Sequence, residues 1–174
     1  MDYTDTITPA VKGNFSYKTE KYGRIFSPEK IGKYSNKIKS VCDHVKGSSG
    51  IVLIYSQWID AGLIPVALAL EEMGMTRSNG TTLFANAPTE QVDASTFETK
   101  ESMEKAGKPF SPARYALITG DVRLSPDNDA DIKKVTNDAN KDGSQVKVIL
   151  ISKAAAEGID LKCIRQVHIL EPWY

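Results

Sequence analysis

Apolar positions along the chain change period several times, and each change marks an expected element. Between Ser27 and Gly47, Ile31, Tyr34, Ile38, Val41 and Val45 recur three and four residues apart, the stripe of a helix that packs one face on a core. Ser27 as N-cap, Pro28 and Glu29 in the first turn and Gly47 at the far end complete a helix signature. The next run, "GIVLIYS" at 50–56, is continuously apolar and β-branched, as expected of a parallel strand covered on both faces. "WIDAGLIPVALALEEMG" at 58–74 returns to helical spacing through Ile59, Leu63, Val66, Leu70 and Met73, with Pro65 in its first regular turn or at a kink.

Residues 76–112 are polar, with "TTLFANAP" as their apolar patch, and are expected to form a flexible inserted loop. The alternation then resumes. "RYALITGD" reads as a strand, "SPDNDADIKKVTNDANKDG" as a helix with a second serine-proline-acid start and a solvated face, and "VKVILIS" as a strand. The turn "KAAAEGIDLKC" and the strand "IRQVHILEP" follow. Residues 1–27 show no clear period and read as a lead-in segment. Over 28–174 the pattern predicts an α/β domain, a parallel sheet with helices on both faces.

Composition narrows the picture only a little. The 174 residues suffice for one domain that buries roughly two-thirds of its unfolded surface. The 22 basic and 22 acidic residues balance, so charge alone announces no nucleic-acid binder. The balance is uneven: residues 1–50 carry nine bases against five acids, and residues 51–145 nine against fourteen. No apolar run reaches bilayer length and the N-terminus lacks a secretory layout, which predicts a soluble chain without membrane contact. Cys42 and Cys163, far apart in sequence, are expected to be free thiols. Neither Cys42/His44 nor Cys163/His168 has the spacing of a zinc set, so no metal site is expected.

In parallel α/β sheets ligands bind beyond the carboxyl ends of the strands. The residues there are Ser56 and Gln57 after the first strand, Thr119, Gly120 and Asp121 after the second, and Ser152 to Asp160 after the third. All of the singled-out positions are small or polar. Hydroxyls and backbone N–H groups at strand ends can bind phosphate, and a carboxylate can accept from a ribose, so the layout suits a nucleotide or a nucleic-acid backbone.

"IVLIYSQWIDAGLIPVALALEEMG" resembles motif IV of superfamily 2 helicases, and "VKVILISKAAAEGIDLKCIRQVHILEPWY" resembles motif V with the strand leading to motif VI. The wording is most similar to the helicase-like ATPases of large nucleocytoplasmic DNA viruses, the poxvirus early transcription factor among them. The resemblance covers residues 27–174 and implies the second, C-terminal RecA-like domain of a two-domain ATP-dependent motor, cut before motif VI. It implies nucleic-acid contacts at Ser56, Gln57, Gly120, Ser152 and Lys153, and ATP contacts at Gly158 and Asp160. Glu157 departs from the arginine many RNA helicases place before that glycine.

Plainer roles compete at each position. Ser56 and Gln57 are also what a helix start requires, Gly120 and Asp121 form turns in any protein, and Ser152, Gly158 and Asp160 suit an ordinary turn. Trp58, Trp173 and Tyr174 are expected as packing aromatics rather than stacking platforms. The chain has no G-x-x-x-x-G-K-[ST] loop and no DExx-type magnesium site, so it holds no complete catalytic set. The resemblance therefore implies ATP and Mg²⁺ in the full-length protein and none held by this segment alone, which should be inactive. It implies as partners DNA or RNA, the N-terminal RecA-like ATPase domain of the same protein and a viral RNA polymerase, in the host cytoplasm or the virion. The alternative is a non-catalytic helicase-like module docking a promoter or polymerase. A Rossmann-type enzyme is disfavoured, because no glycine-rich fingerprint follows any strand.

Overall fold

In a computed structural model of the chain, residues 7–9 and 14–172 are described. In chain order the elements are β1 (Ile7–Pro9), β2 (Phe15–Tyr17), α1 (Thr19–Tyr22), α2 (Ile31–Tyr34), α3 (Asn36–Gly47), β3 (Ile51–Ser56), α4 (Ile64–Glu72), β4 (Thr76–Arg77), α5 (Lys100–Lys105), β5 (Arg114–Ile118), α6 (Asn128–Thr136), β6 (Val148–Ser152) and β7 (Ile164–Ile169). A single π turn, Ile59–Leu63, leads into α4. β1 and β2 pair antiparallel. The other five strands form one wholly parallel sheet in the order β4-β5-β6-β3-β7.

Side chains alternate across that sheet, and the two sets bury into two cores. Val52, Ile54, Val148, Leu150, Tyr115 and Leu117 join α3 and α4 on one face. Ile51, Ile149, Ile151, Ala116 and Ile118 join Val135 and Ile132 of α6 on the other. The expected α/β architecture, with helices on both faces, is the one observed. β6 is buried at every position and β3 nearly so, which is why both read as unbroken apolar runs. β7 lies at the edge, where Val167 and Ile169 remain exposed beside half-buried Leu53 and Tyr55, and its burial alternates.

Both serine-proline-acid starts differ from expectation. The helix expected from Ser27 to Gly47 is broken at Ser35, whose extended backbone ends α2 while its hydroxyl accepts the Ile38 N–H at 3.2 Å and caps α3. Ser125 does not cap α6. It is buried, donating to Leu117 O at 2.5 Å and accepting the Thr119 N–H at 3.2 Å, and Asp127 caps instead. Ser125 is drawn away by the Leu117 carbonyl and the Thr119 N–H at the end of β5.

The stretch 76–112, expected as a loop, carries β4, α5 and a set of buried anchors. Glu71, almost fully buried at the end of α4, accepts the N–H groups of Leu83 (2.6 Å) and Phe84 (3.0 Å) and the Tyr115 hydroxyl (2.6 Å). Burial pushes the Glu71 carboxyl up against those three bonds. Glu72 holds the lead-in, accepting Tyr17 Oη at 2.6 Å and pairing with Arg24. Phe15 N–H then donates to Leu83 O at 2.7 Å, so lead-in and insertion are tied to each other.

Asp93 organises the far half of the insertion. Its carboxylate accepts Ser95 N–H (2.9 Å), Thr96 N–H (3.0 Å) and Ser111 N–H (2.9 Å), and the Ser95 hydroxyl (2.7 Å). Burial alone would raise this carboxyl, but the hydrogen bonds outweigh it and hold the pKa at about 2 against an ordinary 3.8. The lowered folded-state value means stability that is full well above 3.8 and is lost as the pH falls toward about 2. The shift corresponds to about 2 kcal/mol. We expect urea denaturation of Asp93→Asn across acidic pH to show an acid-induced loss smaller than wild type's by about that amount; an unchanged pH slope would contradict the assignment.

Candidate functional site

Three strand ends meet at one edge. β5, β6 and β3 are neighbours, and their register sets Ser56 opposite Ser152 and Ile118 opposite Ile151. Ser56, Gln57, Gly120, Ser152 and Lys153, which come from three stretches of sequence, are thereby gathered at the carboxyl edge, whereas Gly158 and Asp160 lie on the segment that returns to Ile164, the partner of Ile51 at the start of β3. The loop after β5 also touches the turn after β6: a Cβ built on Gly120 would stand 3.3 Å from Ala154 Cβ.

Within this edge the residues sit at different depths. Ser56 is fully buried; its Oγ accepts the Trp58 N–H at 3.0 Å, and its proton serves Trp58 O at 2.9 Å or the carboxylate of Glu171. Glu171 Oε2 also accepts the Gln57 N–H at 3.3 Å, leaving Gln57 half-buried. Ser152 is buried too, but its Oγ has no hydrogen-bond partner. An orphaned buried hydroxyl costs roughly 1–3 kcal/mol, so it marks a donor suited to an acceptor that arrives from outside.

The turn after β6 stands open. Lys153, Glu157, Gly158 and Asp160 are exposed, and Gly158 takes a φ of 81° where a side chain would be strained. Asp160 pairs with Lys162 at 3.3 Å, a contact water weakens. Across the edge, Asp121 binds Arg123 through Nε (3.0 Å) and Nη2 (2.6 Å), and this pairing lowers the Asp121 carboxyl. Thr119, buried at the base of this loop, has Asp121 O at 3.4 Å and Ser125 Oγ at 3.0 Å as acceptors for its Oγ1 proton.

Three further residues shape this edge. Glu171, inside the expected strand "IRQVHILEP", lies beyond the end of β7 and clamps Ser56 and Gln57. Gly62 lies in the π turn where an added Cβ would meet Ser56 Oγ at 2.1 Å and Glu171 Oε1 at 3.2 Å; a glycine inside an apolar helical pattern was the signal for that close approach. Trp58, expected to pack, is 58 % exposed beside Gln57. Trp173 and Tyr174 lie outside the described residues. The Cys and His pairs separate: Cys42 is buried, Cys163 exposed, both free, and the His44 and His168 rings lie 5.6 Å apart. Among the described residues, no group of three or more His, Cys, Asp or Glu could hold a metal ion, and no helix is long and apolar enough to cross a membrane.

A parallel α/β sheet with polar turns gathered at its carboxyl edge fits a RecA-like helicase domain. Comparison with known proteins agrees. The chain is 34 % identical over 148 residues to the termination factor NPH-I homolog of African swine fever virus (isolate Tick/Malawi/Lil 20-1/1983), covering 80 % of this chain and 21 % of that protein. It is 29 % identical over 146 residues to R563 of Acanthamoeba polyphaga mimivirus, provisionally named an ATP-dependent RNA helicase, covering 83 % of this chain and 21 % of that one. A shorter match, 44 % over 46 residues, covers 26 % of this chain and 7 % of nucleoside triphosphatase I of Choristoneura biennis entomopoxvirus. No family model and no solved structure matches. The chain is thus related to the helicase-like ATPases of large nucleocytoplasmic DNA viruses, and it spans about one fifth of the length of its longer-matching relatives.

Gly62 tests how tightly this edge is built. Gly62→Ala should cost roughly 1–3 kcal/mol, because the methyl displaces Ser56 and its Glu171 clamp. Gly47→Ala, where nothing lies within 4 Å, should stay within about 0.5 kcal/mol of wild type. Equal urea midpoints for the two variants would refute the close approach.

Proposed function

We propose that this chain is the second RecA-like domain of an ATP-dependent superfamily 2 helicase or translocase acting on DNA or RNA. The observation that carries the proposal is the pairing of Ser56 with Ser152 at the carboxyl ends of β3 and β6, with Gly120 beside the turn that follows β6, combined with relatives named as a termination factor, a helicase and a nucleoside triphosphatase. Gln57, Gly120 and Lys153 offer contacts to the strand at or near the surface. Ser56 holds the turn from beneath, and Ser152 Oγ supplies the unpartnered hydroxyl for a backbone phosphate.

Gly158 and Asp160 would form one wall of an ATP cleft, the glycine giving close backbone approach and the carboxylate a hydrogen-bond acceptor. The bound nucleotide supplies the free energy of hydrolysis, with Mg²⁺ screening its phosphates. Both would be held chiefly by the N-terminal RecA-like domain, since this chain has no phosphate loop. Closing the two domains brings the exposed turn against that cleft and grips the strand; reopening releases it.

The 174-residue chain alone should show no nucleic-acid-stimulated ATP turnover. In the full-length protein, Asp160→Ala should lower stimulated kcat by roughly 10²-fold, the scale of losing one charge-stabilising group, with an unchanged melting temperature. Robust turnover by the isolated chain, or full activity of Asp160→Ala, would overturn the reading.

A further inference from the structure

The opposite edge of the sheet holds a second polar cleft, of about 730 Å³, between the segments that enter β3, β5, β6 and β7. We infer that this amino-edge cleft is a binding site for a phosphate group, separate from the carboxyl-edge site.

Its cations are the first observation. Lys147 lines the cleft while only 2 % exposed. Its Nζ donates to Ser48 O at 2.9 Å and lies 5.6 Å from the Phe97 ring centre, and among the described residues it has no carboxylate in ion-pair contact. An ammonium has three protons to place, and burying one without a counter-charge is costly. Asp93 attracts it through space, but that carboxylate is spent on the backbone and hydroxyl groups of the insertion. Arg165 and Lys141 stand exposed on the rim, neither in ion-pair contact with a carboxylate among the described residues, although Asp142 attracts Lys141 through space.

The floor is built for close approach. Gly50 and Gly143 both have positive φ, and a Cβ on Gly143 would lie 3.0 Å from Gly50 C, so the two turns press together with no side chains between. A Cβ on Gly50 would lie 2.7 Å from Arg165 Cγ, so glycine is what lets the arginine cross the rim. Serines occupy much of the remaining wall, where Ser48, Ser95 and Ser111 donate their hydroxyl protons to Val45 O, Asp93 and Ser144 O, and Asp142, which accepts the Ser144 N–H at 3.0 Å, is the one acid of the lining. Three cations and a small-residue floor match the tetrahedral, multiply accepting oxygens of phosphate. The volume exceeds one phosphate and falls within the range of sites for small phosphate-bearing molecules. The same chemistry comes from a free phosphate compound or from a nucleic-acid backbone.

Cys163 provides the readout. It lines this cleft and is exposed, whereas Cys42 is buried with its thiol pushed up to about 12. Labelling of Cys163 in the 174-residue chain by a thiol reagent should be followed with inorganic phosphate, with ADP and with oligothymidylate, each against chloride at equal ionic strength. At ten times the half-saturating concentration labelling should slow about tenfold, since about a tenth of the sites then stay open. Arg165→Glu and Lys141→Glu, surface changes that leave the fold in place, should abolish that protection; Lys147→Met should do the same if it folds. Protection by phosphate or ADP identifies a free phosphate ligand, and protection by the oligonucleotide alone identifies a strand backbone. No protection by any of the three, or protection that survives Arg165→Glu, would overturn the inference.

Discussion

The parallel pairing of β3 with β6, in which Ser56 faces Ser152, is the constraint on which the rest of the molecule depends. Because all five strands of the sheet run the same way, every strand delivers its following turn to one edge and receives its preceding segment at the other. Residues nearly a hundred positions apart become neighbours without a direct bond between them. Both edges acquire chemistry for the same reason. The apolar interior of β3 and β6 secures this arrangement, each buried aliphatic side chain contributing roughly 1.5–3 kcal/mol before the conformational cost is met.

Buried carboxylates are the second organising principle. Glu71 and Asp93 do not meet cations in ion pairs among the described residues; they accept backbone N–H groups that an irregular chain would otherwise leave unsatisfied. That is how a long polar insertion can lie on a parallel sheet with so little regular structure of its own. Glu171 does the same at the carboxyl edge, holding the Gln57 N–H and the Ser56 hydroxyl so that the π turn and α4 start in a fixed place. A carboxylate in each role fixes a turn more firmly than an amide would, since charge-assisted bonds are shorter and stronger.

Much of this was legible from the residues. Continuous apolar runs gave β3 and β6, and helical spacing gave the α3 and α4 faces, because burial on two faces or one stripe leaves a periodic trace. What periodicity does not carry is where a polar side chain turns. Ser27 and Ser125 look alike before a proline and an acid, yet Ser125 is taken by Leu117 O and the cap passes to Asp127. Glu71 and Glu72 close an apolar helical pattern whose period says nothing of their roles, and both are buried anchors. At the site the positions were readable as strand ends, but their depths were not: Ser56 is sealed under Glu171, Trp58 points outward and the turn from Lys153 to Asp160 is open. The amino-edge cleft left no motif, because its lining is drawn one or two residues at a time from segments joined only by the fold.

The central claim is that the carboxyl edge faces both nucleic acid and nucleotide. It is tested most directly by hydrogen–deuterium exchange on the full-length protein with and without a non-hydrolysable ATP analogue and a single-stranded oligonucleotide. The account predicts that the two together slow exchange at residues 57–58, 119–121 and 152–160. Slowed exchange confined to other parts of the protein, with these three segments unchanged, would contradict it.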